Sequence, residues 1–198
     1  MKDAPAMAAR APVVPAAAAR RARFPSALID RIALPDGRVV VVRPVLAFDG
    51  DAAQTFVRGL SPASRLRRFH FGLRELPPAL LRAMTEVDHE RHVAIVAESI
   101  VDPRGPVWVA DARYVRSDAE ADSAEFGIAV ADAWQGAGLG RELLRRLMDH
   151  AAREGVRRLL GDVMADNRGM LTLAARLGAR VERSPEGPGV LRVVFELA

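Results

Sequence analysis

The amino-acid sequence predicts an α/β protein, a mixed α+β arrangement in which one central sheet is flanked by helices. Three observations carry that prediction. Short apolar runs with two-residue alternation, the mark of half-buried strands, recur from residue 29 to the C-terminus. Stretches with helical periodicity stand between them. Around residues 124–154 one of each follows the other directly: a strand with Phe126, Ile128 and Val130 on one face and Glu125, Gly127 and Ala129 on the other, then a helix with the stripe Leu139, Leu143, Leu144, Leu147, Met148 and Ala151. Glu142 with Arg146 and Asp149 with Arg153 are acid-then-base pairs four residues apart on the helix's wet side. A right-handed crossover through this helix makes strands 124–131 and 157–164 parallel neighbours or near neighbours. Shorter connections elsewhere favour antiparallel pairing, so the sheet is mixed.

Composition narrows the functional classes. The 198 residues suit one domain, or one domain with a tail, and half of them are hydrophobic, enough for a core. The absence of cysteine excludes disulfides, thiolate zinc sites and cysteine nucleophiles. Apolar runs fall short of the roughly 18 residues that a membrane span needs. The expectation is a soluble, cytoplasmic protein with no membrane partner. The net charge of +4 comes almost wholly from arginine, Lys2 being the sole lysine, and is a weak pointer to an acidic ligand. With no recognition helix and no aromatic-basic RNA motif, no nucleic-acid partner is expected.

Along the chain, residues 1–25 are rich in Ala, Pro and Arg and read as a disordered tail; they share the composition of a transit peptide but lack the apolar core of a secretory signal. Residues 26–198 read as the domain. Residues 29–34 and 39–43 flank Pro35-Asp36-Gly37 and predict a hairpin. Helical patterns follow at 47–59 and 63–70, the second holding Arg65, Arg67 and Arg68, which read as a solvated face. A third carries Leu80, Leu81, Met84 and Val87. Asp88-His89-Glu90-Arg91-His92 lacks metal-ligand spacing and reads as a polar loop near the substrate mouth, so no metal is expected. Strands are predicted at 92–98, 107–116 and 124–131. Beyond the central helix come a strand at 157–164, a helix led by Asp166 and Asn167, and closing strands at 180–183 and 190–197.

Between the central strand and its helix stands Gln135-Gly136-Ala137-Gly138-Leu139-Gly140. Glycines at a helix N-terminus turn backbone N–H groups outward with no side chains in the way, and the helix dipole favours negative charge, so the segment is an anion site suited to a pyrophosphate. Gln135 and Arg141 are placed to add side-chain contacts. A nucleotide site is disfavoured: the spacing is not G-x-G-x-x-G, and the Lys-Ser/Thr pair of a P-loop is missing.

Gln135-x-x-Gly138-x-Gly140, after an alternating strand and inside the first turn of a helix, resembles the acyl-CoA signature of the GNAT N-acetyltransferase superfamily. The order of elements matches that fold from about residue 38 onward. Gly59-Leu60-Ser61-Pro62-Ala63-Ser64-Arg65 with Arg67-Arg68-Phe69, then Val87-Asp88 with residues 93–97, then Ala124-Glu125-Phe126, is similar to the acetyltransferase domain of bacterial protein-lysine acetyltransferases.

The resemblance implies transfer of an acetyl group from acetyl-CoA, as co-substrate, to a primary amine. A protein lysine, such as one on an acyl-CoA synthetase, is the implied acceptor; a small amine, or a non-catalytic acyl-CoA-binding role, is the alternative. A free lysine amine has a pKa of about 10.4, so a carboxylate must collect its proton. Glu125 is the candidate base, with Gly127 and Ala129 leaving room beside it; Asp88, Glu90 and Asp132 stand in reserve. By the resemblance, the donor's arm lies along Ile128 and Val130, with Val130 supplying the backbone N–H for the thioester oxygen. The pyrophosphate lies on Gln135, Gly136, Ala137, Gly138, Leu139, Gly140 and Arg141, and Asn167 meets the pantetheine. Asn167 is also an ordinary helix cap. The tyrosine that many members place after that asparagine is missing, residues 168–171 reading Arg-Gly-Met-Leu, and Tyr114 lies on another strand.

Overall fold

In the computed structural model, which describes residues 24–103 and 105–198, one eight-stranded sheet runs in the order β1-β2-β3-β4-β5-β6-β8-β7. Most of the expected tail, residues 1–23, lies outside the described residues, as does Arg104 in the turn before β4. A single 3-10 turn at Ser26–Leu28 leads into the hairpin of β1 (Asp30–Ala33) and β2 (Val39–Pro44), which closes through Gly37 at a φ of 86°. Three helices follow, α1 (Gly50–Gly59), α2 (Pro62–Phe69) and α3 (Pro78–Thr85). Then β3 (His92–Ser99), β4 (Val107–Arg116) and β5 (Ser123–Val130) add antiparallel strands.

The crossover helix α4 (Leu139–Arg153) carries the chain to β6 (Arg158–Met164), parallel to β5, and α5 (Arg168–Arg176) carries it to β7 (Arg180–Arg183) and β8 (Val190–Glu196). The helices divide between the two faces of the sheet, and each face has its own core. On one face Leu139, Leu143, Leu144 and Leu147 of α4 are fully buried with Ile95, Ala112 and Phe126, each leucine contributing about 2 kcal/mol by burial. On the other, Phe56 and Val57 of α1 and Met84 of α3 pack with Val96, Trp108 and Ala129.

Two predicted boundaries move. Helix α1 begins at Gly50 rather than at residue 47, because the Asp49 carboxylate accepts the Leu46 N–H at 2.7 Å and grips Arg43 at 2.7 and 2.9 Å, making residues 46–49 a turn. Val87 falls beyond the end of α3 at Thr85, although it still packs on the second core.

The feature that matters most for function is a parting of strands. β5 pairs with β6 only at Ser123, Ala124 and Glu125, whereas β6 stays paired with β8 along its whole length. Beyond Glu125 the sheet therefore opens into a wedge, and the glycine turn stands at its wide end.

Candidate active site

The glycine turn divides its labour. Gly136 and Gly138 take φ of 77° and 88°, a region that L side chains rarely adopt, and a Cβ on Gly136 would meet open space. Gly138 is the N-cap of α4, and no side chain caps the helix. The N–H groups of its first turn thus have no partner within the helix, and the turn that leads into it, Gln135 to Gly138, lines a hollow with Pro35, Asp36 and Arg38. Gly140 serves packing instead: a Cβ there would touch Leu173 at 3.5 Å and Val130 at 3.6 Å, so its absence seats α4 against β5 and α5. The Leu139 side chain is wholly buried, and Arg141 and Gln135 are exposed. Gln135 turns inward, its Nε2 donating to the Val130 carbonyl at 3.0 Å and to Ser64 Oγ at 3.3 Å. It ties the turn to β5 and α2.

Strand register shows what the wedge offers. Val130 stands opposite Ala110, and the next residue, Ala131, donates its N–H to the Val109 carbonyl at 2.9 Å. That marks Ala110 and Val130 as a non-hydrogen-bonded pair, so the Val130 N–H points away from β4 and into the wedge. Ile128, two residues earlier, has the same orientation. Both side chains lie on the α4 face near Gly140, so what they present to the wedge is backbone. Across the opening, Asn167 precedes α5 and its Oδ1 accepts the Met170 N–H at 3.2 Å, capping the helix and leaving the side-chain amide N–H groups uncommitted. Arg67 spans the mouth from α2 toward Asp166 at 3.9 Å.

Glu125 projects from β5 on the face opposite α4. It is reachable by solvent, yet it stands on the floor of a groove whose walls crowd it. That crowding, reinforced by the negative charge of Asp162, raises its carboxyl above the ordinary glutamate value, although Arg192 and Arg68 pull the other way. Asp162 is held low, since its burial is outweighed by hydrogen bonds from Arg192 at 2.7 and 3.1 Å and from Ser184 at 2.7 Å. Leu160, Asp162 and Arg192 are only half-buried, so the groove stays open between the end of α2 and the loop at 184–189.

A strand that parts from its neighbour, an inward-pointing N–H on its free edge and an uncapped glycine turn at its end have a counterpart among known proteins. The model of the acetyltransferase (GNAT) family matches residues 66–179. The chain belongs to the GNAT acetyltransferase family. An acetyltransferase of Pseudomonas aeruginosa is 34% identical over 153 residues, covering 77% of this chain and 81% of that one. The acetyltransferase Pat of Mycolicibacterium smegmatis is 36% identical over 144 residues, 72% of this chain but 42% of the relative, so the chain spans less than half of that protein. The solved GNAT domain of S. lividans PAT superposes with a TM-score of 0.80 at 28% identity, covering 88% of this chain and all of that one.

In this GNAT acetyltransferase two of the three reserve carboxylates, Asp88 and Asp132, are occupied elsewhere. Asp88 is partly buried, but the N–H groups of Glu90, Arg91 and His92 donate to its Oδ1 at 2.8–2.9 Å and hold its pKa below the usual range. Its loop lies at the other end of β5 from the glycine turn, with Arg91 paired to Asp118 and Arg116 donating to the Glu90 carbonyl. Asp132 accepts from the Ser61 N–H and from the hydroxyls of Ser61 and Ser64 at 2.7–2.9 Å, which overcomes burial and lowers its pKa. It is the anchor of α2. Tyr114 is fully buried under α4, its hydroxyl 3.1 Å from His150 Nδ1, and burial raises its pKa. That position is closed to any substrate.

Arg68 is where the structure corrects the sequence reading. Arg65 does fold back onto the Leu60 carbonyl, and Arg67 is partly exposed, but Arg68 turns inward from α2 onto β5. Its guanidinium fills the space beside Gly127, where a Cβ would lie 3.0 Å from Cζ and Nη1. The room that Gly127 was expected to leave beside Glu125 is taken by this side chain. No local signal marks it, because Arg113, two residues along the same strand, already meets the Asp111 carboxylate. Among the described residues no group of three acidic or histidine side chains is placed to hold a metal.

Proposed function

We propose that this acetyltransferase moves the acetyl group of acetyl-CoA onto a primary amine, and that the amine is a protein lysine. One observation carries the reading. β5 presents, on its free edge, the N–H of Val130 to the wedge, and on its open face the Glu125 carboxylate to the groove, while the uncapped turn at Gly136 to Gly140 ends the same strand.

Each part has a chemical task. Acetyl-CoA supplies the activated acyl group. Backbone N–H groups of the glycine turn and the α4 terminus bind its pyrophosphate, with Arg141 beside them. The amide of Asn167 binds the pantetheine across the wedge. The Val130 N–H stabilises the negative charge that grows on the thioester oxygen as the amine attacks. Glu125 receives the ammonium proton, a task that a carboxyl with a raised pKa performs well near neutrality. The thiol of coenzyme A is acidic enough to leave as thiolate, so no protonating side chain is needed.

Two facts favour a lysine on a protein over a small amine. The groove is open along its length between α2 and the loop at 184–189, and Glu125 and the exposed Glu186 face it with no ion-pair partner of their own among the described residues. Relatives include a protein known as Pat and the GNAT domain of a PAT, and an acyl-CoA synthetase lysine is the first acceptor to try. Incubation with labelled acetyl-CoA and host lysate, followed by identification of the labelled species, is the test. Label on lysines of one or a few proteins is the expected result. Label confined to small amines overturns the acceptor, and binding of acetyl-CoA without thiol release above background overturns the transfer.

A further inference from the structure

We propose that Arg68 is a positioning residue for the proton transfer: α2 delivers it against β5 as a surplus positive charge, and that charge keeps the Glu125 carboxylate ionised and ready for the amine's proton. The proposal rests on the assignment of Glu125 as the base.

The charge count beneath β5 is the starting point. Asp111 of β4, opposite Ala129, is fully buried, and Arg113 meets it with two prongs, Nη2 to Oδ1 at 2.5 Å and Nε to Oδ2 at 3.2 Å. The remaining donor of Arg113, Nη1, bonds to the Met84 carbonyl at 3.1 Å and approaches His92 Nε2 at 3.2 Å. One carboxylate and one guanidinium already balance. Arg68 adds a second guanidinium whose Nη2 is 3.5 Å from Asp111 Oδ2, at the limit of a hydrogen bond, and whose buried Nε has no partner. Its side chain is only 16% exposed. Burying a cation without a carboxylate of its own is costly.

The structure invests in that placement. α2 is pinned by Ser61 and Ser64 to Asp132, Gly127 clears the space, and the Phe69 ring lies 5.1 Å beneath the guanidinium carbon. Glu125 and Gly127 are on one face of β5 two residues apart, about 7 Å along the strand. The other charges facing Glu125 are Asp162 of β6 and Glu186 of the 184–189 loop, which oppose its ionisation, and Arg192 of β8, which favours it but is already paired with Asp162 at 2.7 Å. Arg68 is the cation with charge to spare.

Titration of the Glu125 carboxyl by 13C NMR, assigned by its loss in Glu125→Gln, tests this in the wild type, Arg68→Lys and Arg68→Met, alongside kcat/KM against pH. Arg68→Met retains the Asp111–Arg113 pair and is expected to fold. It should move the Glu125 titration, and the acid limb of kcat/KM with it, upward by about one pH unit, a roughly tenfold loss of rate on that limb. Arg68→Lys keeps the charge and should leave both near wild type. A Glu125 titration unmoved by Arg68→Met overturns the proposal, whatever happens to the rate. A titration that moves without the acid limb points to another base, a failure of the Glu125 assignment rather than of the electrostatic coupling.

Discussion

Glu125 is open to solvent yet harder to ionise than a free glutamate, because groove walls and the Asp162 charge both disfavour the anion. A base so placed collects a proton from an ammonium group more readily than an ordinary carboxylate does. Glu125→Gln should lower kcat by about 10²-fold or more and leave acetyl-CoA affinity unchanged by calorimetry, since the amide keeps the shape and loses only the proton acceptor. In the wild type the rate should fall as pH drops through the raised pKa, where the carboxyl becomes protonated and can no longer act. Tyr114 makes the complementary case. Its burial against His150 removes it from the chemistry, so Tyr114→Phe should keep turnover within about twofold while costing about 1 kcal/mol of stability, read by urea denaturation.

Elements hold these residues where chemistry needs them, and one glycine outside the signature shows how tightly. Gly161 of β6 lies under the Phe126 ring of β5, where a Cβ would stand 2.4 Å from Cε1 and 2.6 Å from Cζ. Phe126 packs against Phe195 at 5.6 Å between centroids, the rings tilted by 57°, and is buried, so it has nowhere to retreat. Gly161→Ala should therefore cost about 1–3 kcal/mol. Adding Phe126→Leu should recover part of that loss, a coupling that a double-mutant cycle by thermal melting measures. Strand β5, helix α4 and the turn between them were legible because alternation, a leucine stripe and three glycines are local signals. The splay of β5 from β6 has no such signal. It depends on which partner each strand loses after three pairs, a relation between residues 125 and 160 that no local pattern encodes.

The charges of the whole molecule were the least legible feature, since pairing in space is independent of spacing in sequence. Arg68 and Asp111, or Asp162 and Arg192, are partners brought together by the sheet. His92 is the member of that network with a consequence for the entire fold. It begins β3, at the residue where the strand was predicted to start, and burial together with the neighbouring Arg113 pushes its pKa down from 6.5 to about 4. A group whose pKa is depressed on folding binds fewer protons in the native state than in the unfolded chain between those two values. Its contribution to stability is therefore complete above the unfolded pKa of 6.5 and is lost as pH falls toward about 4. His89 and His150, also lowered by burial, add to the slope, whereas Glu125, raised, subtracts from it. His92 alone accounts for up to about 3 kcal/mol over that window. Denaturant midpoints should decline from neutral to mildly acidic pH, above the range where the paired carboxylates protonate. His92→Gln, which cannot titrate, should flatten the decline even if it lowers stability at neutral pH. An unchanged slope in that variant would assign the acid sensitivity to His89 and His150 instead.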